Sequence, residues 1–219
     1  MCKDTKPISH AYIDSFTCAN NINKERFLLG NRNQSVLLHA CCGPCATSCV
    51  ERLAFDYDLT VFFYNPNITD SEEYFKRKGY LIKFLKEFNE EYTGQTHVNY
   101  IEGRYDPEDF LMRAEALKDE PEGGRRCMLC FSIRMSESAD VADKIGADYF
   151  TTTMSVSPHK NYEALKTIGM SIADNHICKF LDIDFKKRDG FLRSIQLSKK
   201  HGLYRQKFCG CEYARAAMN

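Results

Sequence analysis

Leu37-Leu38-His39-Ala40-Cys41-Cys42-Gly43-Pro44-Cys45 is the stretch that decides how this chain is read. Apolar, strand-like residues run straight into three cysteines. Ser35 to His39 is expected to form a first strand, buried on both faces, and Gly43-Pro44 to break it. Ala46 to Ala54 then reads as a helix, so the cysteine loop doubles as a helix N-terminus, where backbone N–H groups favour thiolates. A loop at the carboxyl end of a buried strand is where α/β sheets place their chemistry. Cys49, inside the helix, reads as a packed core thiol.

Two more clusters lie downstream, Cys127-Met128-Leu129-Cys130 and Cys209-Gly210-Cys211. All three are expected to converge on one metal site. Between them, strands and helices alternate. Leu59 to Tyr64 is a second strand; Thr69 with Glu72 makes a capping box for a helix through about Asn89. His97 to Ile101 is a third strand, and Asp106-Pro107 opens the next helix. Lys118 to Arg126 is a loop delivering the C-x-x-C pair at the start of a helix that Gly146 ends. Tyr149 to Thr153 is a fourth strand, Ser157-Pro158 opens a helix that stops at Gly169, His176 to Leu181 is a fifth strand, and Gly190 to His201 a final helix. This alternation predicts an α/β fold, a single parallel-sheet domain over residues 35–219 carrying metal-binding cysteine loops. Residues 1–34 read as a polar N-terminal extension with one apolar knot at Phe27-Leu28-Leu29, and Cys2 and Cys18 there as incidental.

The chain has 30 Lys plus Arg against 30 Asp plus Glu, so any RNA-binding surface must be local. Met1-Cys2-Lys3-Asp4-Thr5-Lys6 is too polar for a signal peptide, and no apolar run approaches a bilayer span. A cytoplasmic protein without membrane contact is expected, in which clustered cysteines serve metal or redox chemistry.

Leaving aside Cys2, Cys18, Cys49 and Cys178, the clusters hold Cys41, Cys42, Cys45, Cys127, Cys130, Cys209 and Cys211. That is too many for one structural zinc site or one [4Fe-4S] cluster, but four plus three fits a cluster beside a second metal ion with an open position. Neighbouring side chains on extended backbone point to opposite sides, so Cys41 and Cys42 are expected to serve two metals. The working division gives the cluster Cys127, Cys130, one of Cys41/Cys42 and one of Cys209/Cys211, and the second ion Cys45 and the two left over. A thioredoxin-like dithiol at Cys42-Gly43-Pro44-Cys45 and a structural zinc site each leave clustered cysteines unexplained.

The motifs together resemble the QueH family, the cobalamin-independent epoxyqueuosine reductases. The resemblance is carried by His39 to Cys45, Tyr64-Asn65-Pro66-Asn67-Ile68, Arg126 to Cys130, Thr151 to Pro158, and the tail from Asp184 to Gly190 and Tyr204 to Cys211. It runs from about Ser35 to Tyr213. It implies two-electron removal of the epoxide oxygen of epoxyqueuosine at the tRNA wobble position, the last step to queuosine. It also implies a [4Fe-4S] cluster next to a mononuclear iron, a tRNA with a GUN anticodon as partner, and a low-potential donor such as a ferredoxin or flavodoxin. Some members carry Asp where this chain has Cys45. Thr-Thr-x-x-Ser-x-Ser-Pro also resembles the nucleotide-handling segment of Rossmann-like PP-loop-type (HUP) folds, with the metal loop in place of the phosphate loop. No S-G-G-x-D pattern supports ATP use.

For that reaction, Cys45 is the expected catalytic ligand, and His39, Tyr64 and Tyr105 are candidate proton donors near the strand ends. His39 reads equally as a satisfied core histidine. Asn65 and Asn67 suit base contacts. Lys186, Lys187, Arg188, Arg193 and Arg205 suit phosphates. Arg125, Arg126 and Arg134 flank the C-x-x-C and are expected to hold phosphate or tune the cluster. Ser155, Ser157 and Lys160 follow strand four and are further candidates for substrate.

Overall fold

The computed structural model describes residues 34–216; the N-terminal extension, with Cys2, Cys18 and Phe27 to Leu29, lies outside them. Five parallel strands form one sheet in the order β3-β2-β1-β4-β5, comprising β1 Ser35–His39, β2 Asp58–Phe63, β3 Asn99–Glu102, β4 Tyr149–Thr152 and β5 Lys179–Phe180. Among the described residues seven helices connect and flank them: α1 Gly43–Leu53, α2 Ser71–Glu91, α3 Pro107–Ala114, α4 Arg125–Ile145, α5 Tyr162–Ala173, α6 Gly190–Lys200 and α7 Glu212–Ala216. No helix among the described residues is long and apolar enough to cross a membrane.

Strand alternation sorts the core into two layers. Val36 and Leu38 of β1, with Leu59, Val61 and Phe63 of β2, face α1 and α2. Leu37, Phe62 and Phe150 face the opposite side, against Phe131, Met135, Ala139 and Ala142 of α4 and Leu165 of α5. The order reverses between β1 and β4, and a doubly wound sheet opens a crevice at the carboxyl ends of the strands there. Cys41 to Cys45 follow β1 at that point. The Cys41 N–H donates to Thr153 Oγ1 at 3.2 Å, tying the end of β1 to the residue after β4.

Several boundaries differ from expectation. Pro44 does not precede α1 but sits in its first turn, because its fixed φ suits a helix start and its missing N–H is needed there by no partner. Cys42 is the N-cap residue and Cys45 is helical. Gly43 is demanded by packing: a Cβ there would lie 3.0 Å from the Tyr80 carbonyl oxygen, so α1 starts directly against α2. Asp70, not Thr69, caps α2, accepting from the N–H groups of Glu72 and Glu73. β3 lies two positions later than expected at its start. Thr153–Val156 form a 3-10 turn, and α5 is capped by Asn161, whose side chain accepts from Ala164 N, rather than by Ser157. Gly169 does not end α5; a Cβ there would meet the Phe180 ring at 2.6 Å, so the glycine lets helix and strand close up. β5 shrinks to two residues, because Asp143 takes the N–H groups of Ile177 and Cys178 at 3.3 and 2.8 Å before the strand begins.

Candidate metal centre

At the end of β1 the backbone bends at Cys41 and enters α1, so the alternation of an extended strand no longer holds. The expected divergence of Cys41 and Cys42 is therefore corrected: their sulfurs lie side by side at 3.7 Å. The Sγ atoms of Cys41, Cys42 and Cys45 all lie within 4.8 Å of one another. Two thiolates on one tetrahedral metal, at about 2.3 Å from it, stand just under ~4 Å apart. The donor set thus fits a metal.

The two adjacent thiols do have different company. Cys41 Sγ accepts from Thr153 Oγ1 at 3.4 Å, whereas Cys42 Sγ accepts from Gln206 Nε2 at 2.9 Å. Hydrogen bonds from the Cys42 and Cys45 thiols hold Cys41 well below the usual thiol range; burial opposes this, and Arg134 and Thr153 add to it. The bond to Cys41 pushes Cys42 up to about 12, and bonds to Cys41 and Cys42 push Cys45 up as well. Three thiols in mutual contact, whose protons a bound metal would displace, make a donor set suited to a cation.

The other cysteines gather nearby. Cys130 of α4 packs with Cys209 and Cys211 beside Phe110 and Ile133. The Cys209 and Cys211 sulfurs are 3.4 Å apart. Gly210 makes this possible with φ +109, and a Cβ on it would strike Ile68 Cγ1 at 2.8 Å. The Cys211 thiol bonds to Cys209 and brings it down to about 6; burial pushes Cys130 up. Cys127, one turn before Cys130, accepts from the Gly123 N–H at 3.2 Å. The loop carrying Cys209 is held by Arg77, which is buried and paired with Glu73 at 2.7 Å.

Between the groups runs a buried polar chain. Asn65 Nδ2 donates to the Ala40 carbonyl at 2.9 Å, and Asn65 Oδ1 accepts from Arg134 Nη2 at 2.7 Å. Arg134 Nε lies 3.3 Å from His39 Nε2, and its Nη1 donates to Cys130 Sγ at 3.8 Å. His39 Nε2 is also 3.0 Å from the Tyr64 carbonyl, and Nδ1 is 3.0 Å from Thr152 Oγ1. Burial, helped by Arg134, lowers His39 to about 3, so it is a neutral core histidine with both nitrogens occupied.

The remaining candidates are dispersed. Tyr64 is half-buried, packed against both the α4 face of the sheet and the Cys130 cluster, and burial pushes its hydroxyl up to about 12. Tyr105 donates to the Ile68 carbonyl at 2.9 Å. Asn67 is buried with Oδ1 unpartnered. Arg126 is buried and donates to the carbonyls of Leu117, Lys118 and Glu120, so it closes the loop before α4 instead of facing solvent. Arg134 is likewise interior, only 3% exposed, which corrects its placement as a phosphate contact. Ser155 is spent on the Thr152 and Ile183 carbonyls and the Phe185 N–H, and Ser157 accepts from the His159 N–H. Lys160 Nζ sits 5.2 Å from the Phe131 ring, and Lys186 donates to the Lys160 carbonyl at 3.0 Å. Lys187 and Arg188 line a cavity of about 340 Å³ with Arg52 and Lys166. Arg193 is paired with Glu51 at 2.6 Å, and Arg205 donates to Ser194 and Ser198. Sequence reasoning missed Gln206, Thr153 and Arg77. Gln206 stood inside a quoted motif, and its proximity to Cys42 arises only in three dimensions.

A family model described as Epoxyqueuosine reductase QueH matches residues 36–217. Proteins named Epoxyqueuosine reductase QueH are similar over most of the chain. The one from Streptococcus pyogenes is 39% identical over 180 residues, which is 82% of this chain and 70% of the relative. The one from Staphylococcus epidermidis is 39% identical over 181 residues, 82% and 75% of the two chains. The one from Thermotoga maritima is 33% identical over 183 residues, 82% and 90%. With a sheet that places three converging thiols at its switch point, and with a family model covering residues 36–217, the chain belongs to the QueH family of epoxyqueuosine reductases.

Proposed function

We infer that this chain reduces epoxyqueuosine to queuosine in tRNA. The observation that carries the reading is the convergence of the Cys41, Cys42 and Cys45 sulfurs at the β1–β4 switch point of a chain that belongs to this family. The net reaction takes up two electrons and two protons, converts the epoxide to an alkene, and releases the oxygen as water.

A [4Fe-4S] cluster and a second metal ion, iron in this reading, fit the seven thiols. Different company suggests the division: Cys42 Sγ takes Gln206 Nε2 and Cys41 Sγ takes Thr153 Oγ1, while Cys130 packs with Cys209 and accepts from Arg134 Nη1 at 3.8 Å. Cys41, Cys127, Cys130 and Cys209 would therefore hold the cluster, and Cys42, Cys45 and Cys211 the second ion. When bound, these groups supply one-electron transfer and Lewis acidity toward an oxygen.

The chain's own residues then bind and protonate. Tyr64 Oη stays protonated at neutral pH and is the proposed proton donor; His39, neutral and doubly bonded, orients the β1 end. Asn67 Oδ1, buried and unpartnered, is an acceptor for the modified base. Lys160, Lys187 and Arg188 supply the charge for anticodon-loop phosphates of a GUN-anticodon tRNA. The working compartment is the cytoplasm, and the electron donor a ferredoxin or flavodoxin.

The test is anaerobic incubation of iron- and sulfide-reconstituted protein with epoxyqueuosine-containing tRNA and a low-potential reductant, followed by nucleoside analysis. Queuosine is expected; unchanged epoxyqueuosine with fully loaded protein overturns the reading.

A further inference from the structure

Arg134 is a buried cation without an anion. It is 3% exposed, and its N–H groups reach an imidazole nitrogen, an amide oxygen and a thiol. No carboxylate among the described residues pairs with it. A guanidinium is never deprotonated in a protein, and burying one unpaired is costly. Of the other buried arginines, Arg77 has Glu73 at 2.7 Å, and Arg126 has the carbonyl oxygens of Leu117, Lys118 and Glu120. The group in contact with Arg134 that is able to carry negative charge is a sulfur, Cys130 at 3.8 Å.

We propose that Arg134 is a positioning residue that supplies the fixed counter-charge of the thiolate-bound cluster, and so raises its reduction potential. This rests on the cluster reading above. Asn65 and His39 hold the guanidinium in place from the β1 and β2 ends, so the cation cannot swing toward solvent. Adding one electron to a cluster makes it more negative by one unit. A cation fixed beside one of its ligands stabilises the reduced form more than the oxidised form, and burial makes that difference larger than it would be in water.

The experiment compares wild type, Arg134→Gln and Arg134→Lys after anaerobic reconstitution. Iron and sulfide content is measured first, then the cluster midpoint by a dithionite titration followed by optical and EPR spectra. Arg134→Gln keeps a hydrogen-bonding side chain but loses the charge. Its midpoint is expected to fall by a factor of at least ten in the reduction equilibrium, about 59 mV for one electron. Arg134→Lys is expected to retain most of the wild-type value. Equal midpoints in wild type and Arg134→Gln overturn the proposal, as do equal losses in both variants, which would make the planar hydrogen-bond fork the cause. Should Arg134→Gln fail to hold a cluster, Arg134→Lys decides alone: a retained cluster with near-native midpoint supports the charge role, and a lost cluster overturns it. A wild type that takes up no reducible cluster overturns the cofactor reading itself, an outcome distinct from a loaded wild type whose midpoint ignores residue 134.

Discussion

Arg77 Nη1 donates to the carbonyl oxygen of Cys209 at 2.9 Å, joining the middle of α2 to a loop 132 residues later. Nη2 takes the Phe208 carbonyl at 3.2 Å, and Nε takes Glu73. The last cysteine pair is thus hung from a helix on which the sequence showed no ligand. Removing the guanidinium frees the loop and leaves Glu73, itself buried, with only the Tyr204 hydroxyl and no cation. Arg77→Met is expected to lose about 3–5 kcal/mol of stability in urea unfolding, with iron content falling in parallel. Unchanged iron per chain would show that the loop holds its own shape.

Gln206 Nε2 reaches Cys42 Sγ at 2.9 Å. A donor to a ligating sulfur acts on the metal through the ligand, and loss of such a partner costs about 10–100-fold in affinity. Gln206→Leu is expected to release its second metal ion to a chelator by that factor faster, while sulfide content is unaltered. Identical chelator kinetics would remove Gln206 from the metal site.

Cys45 stands in the first turn of α1 and closes the three-sulfur set. Cys45→Ala is expected to keep the cluster colour and sulfide, lose one metal ion per chain and abolish queuosine formation. If the colour bleaches instead, the division of ligands proposed above is wrong.

Asp143 fastens β5 to α4. Burial works against its carboxylate, but it is outweighed by the Cys178 and Ile177 N–H groups and His176, which bring it from 3.8 to about 2. The folded state therefore binds its proton less readily than the unfolded chain. Its contribution is present above about pH 4 and disappears as pH falls toward 2. Asp143→Asn is expected to lower thermal stability by roughly 1–2 kcal/mol at neutral pH. The gap between the two proteins should close in melts run from pH 4 down to 2; a gap that persists at pH 2 would assign the effect to shape instead of charge.

Much of this was legible in the sequence because the signals were local. β1 and β2 carry apolar runs, and β4 is built from aromatic and β-branched residues. Asp106 and Gly146 mark helix ends with side chain and αL backbone where expected. The cysteine clusters announced themselves by spacing. What escaped depended on partners distant in sequence. Gly169 looked like a stop until the Phe180 ring was opposite it. Arg126 and Arg134 were expected to hold phosphate or tune the cluster; both are buried, one on carbonyls and the other against Cys130, His39 and Asn65. Cys41 and Cys42 were read by strand alternation, which fails once the chain bends. α7, five residues long, carries too little pattern to be recognised in advance.

The brevity of β5 has a consequence beyond its pairing. The two outermost strands are the shortest or nearly so, at four and two residues, and the outer one exposes Lys179. A foreign strand seeking to extend the sheet at that side meets almost no backbone to pair with and a positive charge in its path. Self-association through the sheet margin is discouraged.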